Sequence, residues 1–148
     1  MSELQELYQQ VILDHNKNPR NFKSLPHAEH KAEGYNPLCG DRVTVYLHLE
    51  DGKVKEAAFE GKGCAISTAS ASMMTEAVKG KSLEEAKALF EKFHDLVTGK
   101  TASSGELGKL AVFAGVREFP MRVKCATLAW HTMNAALENR DEPVTTEE

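Results

Sequence analysis

The chain has 148 residues and a mass of 16.3 kDa, with 41% hydrophobic and 27% charged residues, values that fit one soluble globular domain rather than two. Eighteen basic residues stand against 22 acidic ones, giving a formal charge of −4 and a pI near 5.9, which disfavours a nucleic-acid reader or a protein drawn to anionic lipid. The N-terminus, Met1-Ser2-Glu3-Leu4-Gln5, lacks a basic segment followed by an apolar run, and no stretch approaches membrane-span length, so the expectation is a cytoplasmic protein without a membrane or nucleic-acid partner.

Ser2 and Gln5 form a capping-box start, followed by Leu4, Leu7, Tyr8, Val11, Ile12 and His15 at helical spacing until Asn18-Pro19. An amphipathic helix is expected there. Residues 20–37 are polar and aperiodic and read as a long connector ending in the loop Gly34-Tyr35-Asn36-Pro37. Val43, Val45, Leu47 and Leu49 then alternate with polar residues, Asp51-Gly52 marks a tight hairpin turn, and a return strand begins at Val54. In that return strand the apolar parity slips between Val54 and Ala57-Ala58-Phe59, the signature of a bulge. Cys64-Ala65-Ile66 reads as a third short strand. Small residues from Ser67 onward lead into Met73 and Met74, a helix ended by Gly80.

Ser82 and Glu85 make a second capping box ahead of Leu83, Ala86, Phe90, Phe93 and Val97, which share one helical face. Ser103 and Glu106 could cap a shorter helix carrying Leu107, Leu110, Val112 and Phe113. Pro120 suits the first turn of a last helix, in which Val123, Thr127, Trp130, Met133 or Asn134, and Leu137 recur every three or four residues. The expected fold is α+β: a small three-stranded antiparallel sheet with helices packed against it, in a single domain over residues 1–140, with an acidic, frayed tail at 141–148.

Three cysteines remain to be explained. An odd number in a chain able to build its own core argues against a disulfide framework and for metal binding, reactive thiols or buried packing. Cys39-Gly40-Asp41 places a thiol and a carboxylate two residues apart, on the same side of an extended segment. Cys64 follows a two-glycine turn, and Cys125 lies near the start of the last helix, where the dipole favours a thiolate. Together they make a three-sulfur, one-carboxylate set suited to tetrahedral zinc. The spacings of 25 and 61 residues match no local finger, so spacing alone leaves three unrelated buried thiols as an equal alternative.

Other features read more plainly. His15 and His131 are structural or solvated histidines, and Met73-Met74 is core filling. Arg117, Arg122 and Lys124 precede Cys125 closely; they are either a solvated helix start or a cationic rim that lowers the thiol pKa or docks an acidic partner.

Three segments resemble a known family: Asn36-Pro37-Leu38-Cys39-Gly40-Asp41, the run from Gly61 through Cys64 to Met73, and Arg122-Val123-Lys124-Cys125-Ala126-Thr127-Leu128-Ala129-Trp130. They look like the iron–sulfur cluster assembly proteins of the SufU, IscU and NifU N-terminal group, with the likeness reaching back to Tyr8, His15 and Asn18-Pro19-Arg20-Asn21-Phe22. Within the group, Lys124 replaces the His that IscU-type scaffolds carry before the third cysteine, and the segment between the second and third cysteines is longer. Both features resemble the SufU branch.

That resemblance implies the SufE/NifU-like fold and a zinc-dependent sulfurtransferase that accepts persulfide sulfur from a cysteine desulfurase of SufS type. Cys39, Asp41, Cys64 and Cys125 would hold Zn²⁺, and Cys39 would be the sulfur acceptor. Three thiolates and a carboxylate leave such a site near −2, which a cationic rim including Arg122 and Lys124 offsets in part. In the implied mechanism a desulfurase His replaces Cys39 on the zinc, and the freed thiolate attacks the persulfide. The alternative within the family is a scaffold on which a [2Fe–2S] cluster is assembled and transferred. A downstream cluster-assembly scaffold is the expected recipient of the sulfur, and the chain is expected to be a monomer or weak dimer.

Overall fold

The computed structural model describes residues 3–26, 28–37, 40–98, 100, 110, 112–113, 116, 119–138 and 144–145. In chain order the elements are α1 (Glu3–Lys17), β1 (His30–Asn36), β2 (Asp41–Glu50), β3 (Lys53–Lys62), α2 (Ala65–Val78), α3 (Leu83–Thr98), α4 (Pro120–Leu137) and β4 (Val144–Thr145). The strands lie in the order β3-β2-β1-β4, and β2 runs antiparallel to both β1 and β3. Val144 and Thr145, in the segment expected to fray, pair in parallel with Gly34 and Tyr35.

The β2–β3 hairpin follows directly from its residues. Val43, Val45 and Leu47 alternate onto the buried face, and Asp51 and Gly52 both take positive φ, 55° and 76°, the twist that a two-residue hairpin turn needs. The parity slip is a bulge: Leu49 faces Val54 but His48 faces Glu56, so Lys55 is the extra residue.

Two expectations are corrected. The third antiparallel strand is not Cys64-Ala65-Ile66 but β1, inside the segment read as a connector. Its inward positions are Ala32, Gly34 and Asn36, small or polar side chains that carry no apolar alternation. Cys64 instead caps α2: its sulfur accepts the Ser67 amide at 3.4 Å, and the small residues behind it continue as helix.

α4 packs across β1 and β2, α2 lies against β3, α1 rests on α2, and α3 rests on α4. One layer of helices therefore covers one face of the sheet. The Ser82–Glu85 box is formed reciprocally, with bonds of 3.0 and 3.1 Å, and α3 buries Ala86, Phe93, Leu96 and Val97. Phe93 stacks on Trp130 at 4.6 Å and meets Phe113 edge-on at 5.7 Å. Leu110, Val112, Phe113 and Val116 join this core, while the expected cap at Ser103 and Glu106 lies outside the described residues.

Small residues in α2 let it lie close to α4, and Ser70 uses that proximity. Its hydroxyl donates to the Ala126 carbonyl and accepts the Trp130 indole N–H at 3.1 Å. His15 is structural, as expected: its ring bonds Ser72 Oγ at 2.8 Å and faces Glu76 at 3.7 Å, joining α1 to α2. Met73 and Met74 are buried core residues, and no helix among the described residues is long and apolar enough to cross a membrane.

Candidate metal centre

At one end of the sheet the inward face stops being apolar. Asn36, the last residue of β1, pairs with Asp41, the first of β2, and both side chains are fully buried. Asp41 keeps the parity of Val43 and Val45, so β2 aims its carboxylate into the interior beneath α4. Cys64 arrives from the β3–α2 junction, and Cys125 from the second turn of α4. An Asp41 carboxylate oxygen and the two Sγ atoms all lie within 4.8 Å of one another.

Local bonds hold the group in place. The Cys64 amide donates to Asp41 Oδ1 at 2.9 Å, and the Cys64 thiol lies 4.0 Å from Asp41 Oδ2. Gly63 makes this approach possible, because a Cβ there would come within 2.9 Å of Asp41 Oδ1 and 3.1 Å of Ser67 Oγ. Cys125 is buried, whereas Cys64 is exposed, so the cluster opens to solvent on the Cys64 side.

The two thiols share their proton unequally. A hydrogen bond from Cys125 lowers the Cys64 pKa to about 6, and the Ser67 amide assists, against burial and the Asp41 charge. Cys125 moves the opposite way, far above the usual thiol range, because it donates to Cys64, is buried and borders Asp41. The negative charge of the pair therefore favours Cys64, and binding a metal through both sulfurs displaces the proton that Cys125 holds.

This donor set fits zinc. Tetrahedral coordination at Zn–S distances near 2.3 Å separates two sulfurs by about 3.8 Å, within the spread found here. Three ligands leave one position of a tetrahedral site unfilled. Cys39, expected as the fourth, lies outside the described residues, in the short connection between Asn36 and Asp41.

The other singled-out residues are elsewhere. Arg122 is exposed and lays its guanidinium over the Phe119 ring at 4.6 Å. Lys124 is half-buried beside Cys125 in sequence, and neither cation makes an ion pair among the described residues. Arg117 lies outside them. His131 stands against Phe90 and His94, away from the cluster, in agreement with its structural reading. Sequence reasoning overlooked Asn36, whose side-chain N–H₂ lies 3.5 Å from Asp41 Oδ2 and 3.6 Å from Cys125 Sγ. Its signal was available: residues facing each other across an antiparallel pair share a face, and Asn36 faces Asp41.

The NifU-like N-terminal domain model matches residues 7–140. The chain belongs to that family. Among its relatives, the zinc-dependent sulfurtransferase SufU of Bacillus subtilis is 43% identical over 139 residues, covering 93% of this chain and 94% of that one. The iron–sulfur cluster assembly scaffold protein IscU of Streptococcus pyogenes is also 43% identical over 139 residues, covering 93% of this chain and 87% of that one. A crystal structure from Fervidobacterium islandicum AW-1, provisionally described as an iron–sulfur cluster assembly scaffold protein for the SUF system, superposes with a TM-score of 0.83. It is 36% identical and covers 89% of this chain and 97% of that one. The α+β architecture is thus that of its family.

Proposed function

We propose that this chain is a zinc-dependent sulfur acceptor that takes persulfide sulfur from a cysteine desulfurase of SufS type for iron–sulfur cluster assembly. The observation that carries the reading is the convergence of Asp41, Cys64 and Cys125 within 4.8 Å, a donor set that needs one more ligand. We assign that place to Cys39, two residues from Asp41, and treat residues 1–140 as the functional domain, with 141–148 as a tail outside it.

Zinc held there would keep the thiols deprotonated and fasten the start of β2, the cap of α2 and the second turn of α4 to one another. The chain's own residues do the rest. The Cys39 thiolate attacks the outer sulfur of the desulfurase persulfide, the S–S bond to the desulfurase cysteine breaks, and that cysteine leaves as a thiolate. Cys39 then carries the sulfur as a persulfide, with its proton still on the transferred atom. Cys64, Cys125 and Asp41 would remain the ligands that hold the zinc. Arg122 and Lys124 form the cationic docking rim for the desulfurase, and a downstream assembly scaffold receives the sulfur. The protein works in the cytoplasm, where thiols remain reduced, as a monomer or weak dimer.

A second reading has its own support, since a relative of equal identity is named as a cluster scaffold and the three thiolates of Cys39, Cys64 and Cys125 with Asp41 can also hold a [2Fe–2S] cluster. Lys124 in place of a histidine favours the first. Metal analysis and an absorption spectrum of protein purified without oxygen separate them: stoichiometric zinc and a colourless solution support the sulfur acceptor, whereas iron with visible absorption supports the scaffold.

A further inference from the structure

The least expected side chain at the centre is Asn36. It is fully buried at the end of β1, where a polar amide is retained only if its bonds matter. Its N–H₂ carries two protons and faces two acceptors, the Asp41 carboxylate at 3.5 Å and the Cys125 sulfur at 3.6 Å. Rotating the amide by half a turn would put its oxygen against a carboxylate and a sulfur, three acceptors facing one another. The chemistry therefore fixes the orientation with nitrogen toward the cluster. In that orientation Oδ1 is buried with no hydrogen-bond partner among the described residues. In this orientation both amide protons are aimed at the two donors.

We propose that Asn36 is a positioning residue for the metal centre: its amide spans Asp41 and Cys125 and holds these two donors at ligand distance. The inference rests on the metal reading above for its consequence, but the hydrogen bonds exist without metal. Asp41 and Cys125 come from different elements, β2 and α4, and both are anionic when they bind a cation. Cys64 also meets both, through its backbone amide to Asp41 and its sulfur to Cys125, but it is itself one of the donors; Asn36 is a non-ligand side chain that spans the two. Cys64 touches Asp41 through its own backbone amide, so its placement does not depend on Asn36. The centre is then built from two supports: the amide of Cys64 for one side of Asp41, and the amide of Asn36 for the other side together with Cys125. Groups behind a metal's ligands typically change affinity by about tenfold to a hundredfold when removed.

The test uses the full-length chain, Asn36→Ala and Asn36→Asp. Zinc affinity is read by chelator competition, and cobalt(II) serves as a spectroscopic stand-in. Asn36→Ala is expected to bind zinc roughly tenfold to a hundredfold more weakly, and Asn36→Asp more weakly still, since it places a third carboxylate oxygen against Asp41 and Cys125. The cobalt thiolate-to-metal band should shift, which a general loss of stability would not cause. If both variants bind zinc within twofold of the natural chain and give its cobalt spectrum, the proposal is overturned. Should the Asn36 variants fail to fold, chains that keep Asn36 decide. In metal-free, asparagine-labelled protein the Asn36 side-chain amide resonances must move on Cys125→Ser or Asp41→Ala; unmoved resonances overturn the assignment. A natural chain that binds no zinc removes the metal reading alone, and the amide resonances then still decide the role of Asn36.

Discussion

The middle and the start of α4 show two ways of holding one helix. In its middle, Trp130 is fully buried, stacked on Phe93 and Phe90 in the core that also holds Leu128, Met133 and Phe113. Near its start, Cys125 is just as buried, but its neighbours are Asn36, Asp41 and Cys64, and its surroundings are polar and directional. Apolar contact is non-directional, so the aromatic middle tolerates small shifts and supplies stability. The start of the helix depends on directional hydrogen bonds and supplies chemistry, while its anions resist being brought together. Ser70 joins the two regions, bonding the Trp130 indole and the Ala126 carbonyl next to Cys125.

Substitutions should separate these regions. The largest stability effect is expected from Phe93→Ala, which removes a fully buried ring between Trp130 and Phe113; urea unfolding of metal-free protein should show a loss of about 3–5 kcal/mol. Cys64→Ser should do the reverse, lowering zinc affinity more than tenfold by chelator competition while changing metal-free stability by no more than about 1 kcal/mol. Equal losses of stability in both variants would erase the contrast.

A pH titration sharpens the aromatic side. Burial, with the neighbouring His94, lowers the His131 pKa from its ordinary 6.5. A histidine whose pKa is depressed on folding leaves the protein fully stable above the unfolded value and less stable as pH falls below it. The urea midpoint should therefore decline as pH falls from 7 to 5, and His131→Phe should remove that share of the decline. The smallest effect is expected at the rim of the helical layer, where Ser82→Ala breaks the reciprocal box at the start of α3 and should cost about 1 kcal/mol in thermal or urea unfolding.

Legibility in the sequence followed how local the cause was. The Asp51-Gly52 turn, the Ser82–Glu85 box, Pro120 at the start of α4 and the alternation of β2 are decided by residues a few positions apart, and each appears as read. β1 escaped because Gly34 and Asn36 occupy inward positions that an apolar side chain usually marks, and Gly34 leaves room there for Thr132 of α4. Cys64-Ala65-Ile66 looked like strand because two glycines precede it, yet the sulfur serves as a helix cap instead. At the centre, the cysteines and Asp41 were legible as residue types, but their convergence spans 84 positions from Asp41 to Cys125 and is a property of the packed sheet and helix. Asn36 went unread because its role exists only through the pairing of β1 with β2.

The claim that Cys39 accepts sulfur is tested most directly by intact-mass analysis after incubation with a cysteine desulfurase and cysteine, using the zinc-loaded natural chain beside Cys39→Ala. The natural chain should gain one sulfur, mapped to Cys39, and the variant none while retaining its fold. Equal sulfur gain in the variant would contradict the account.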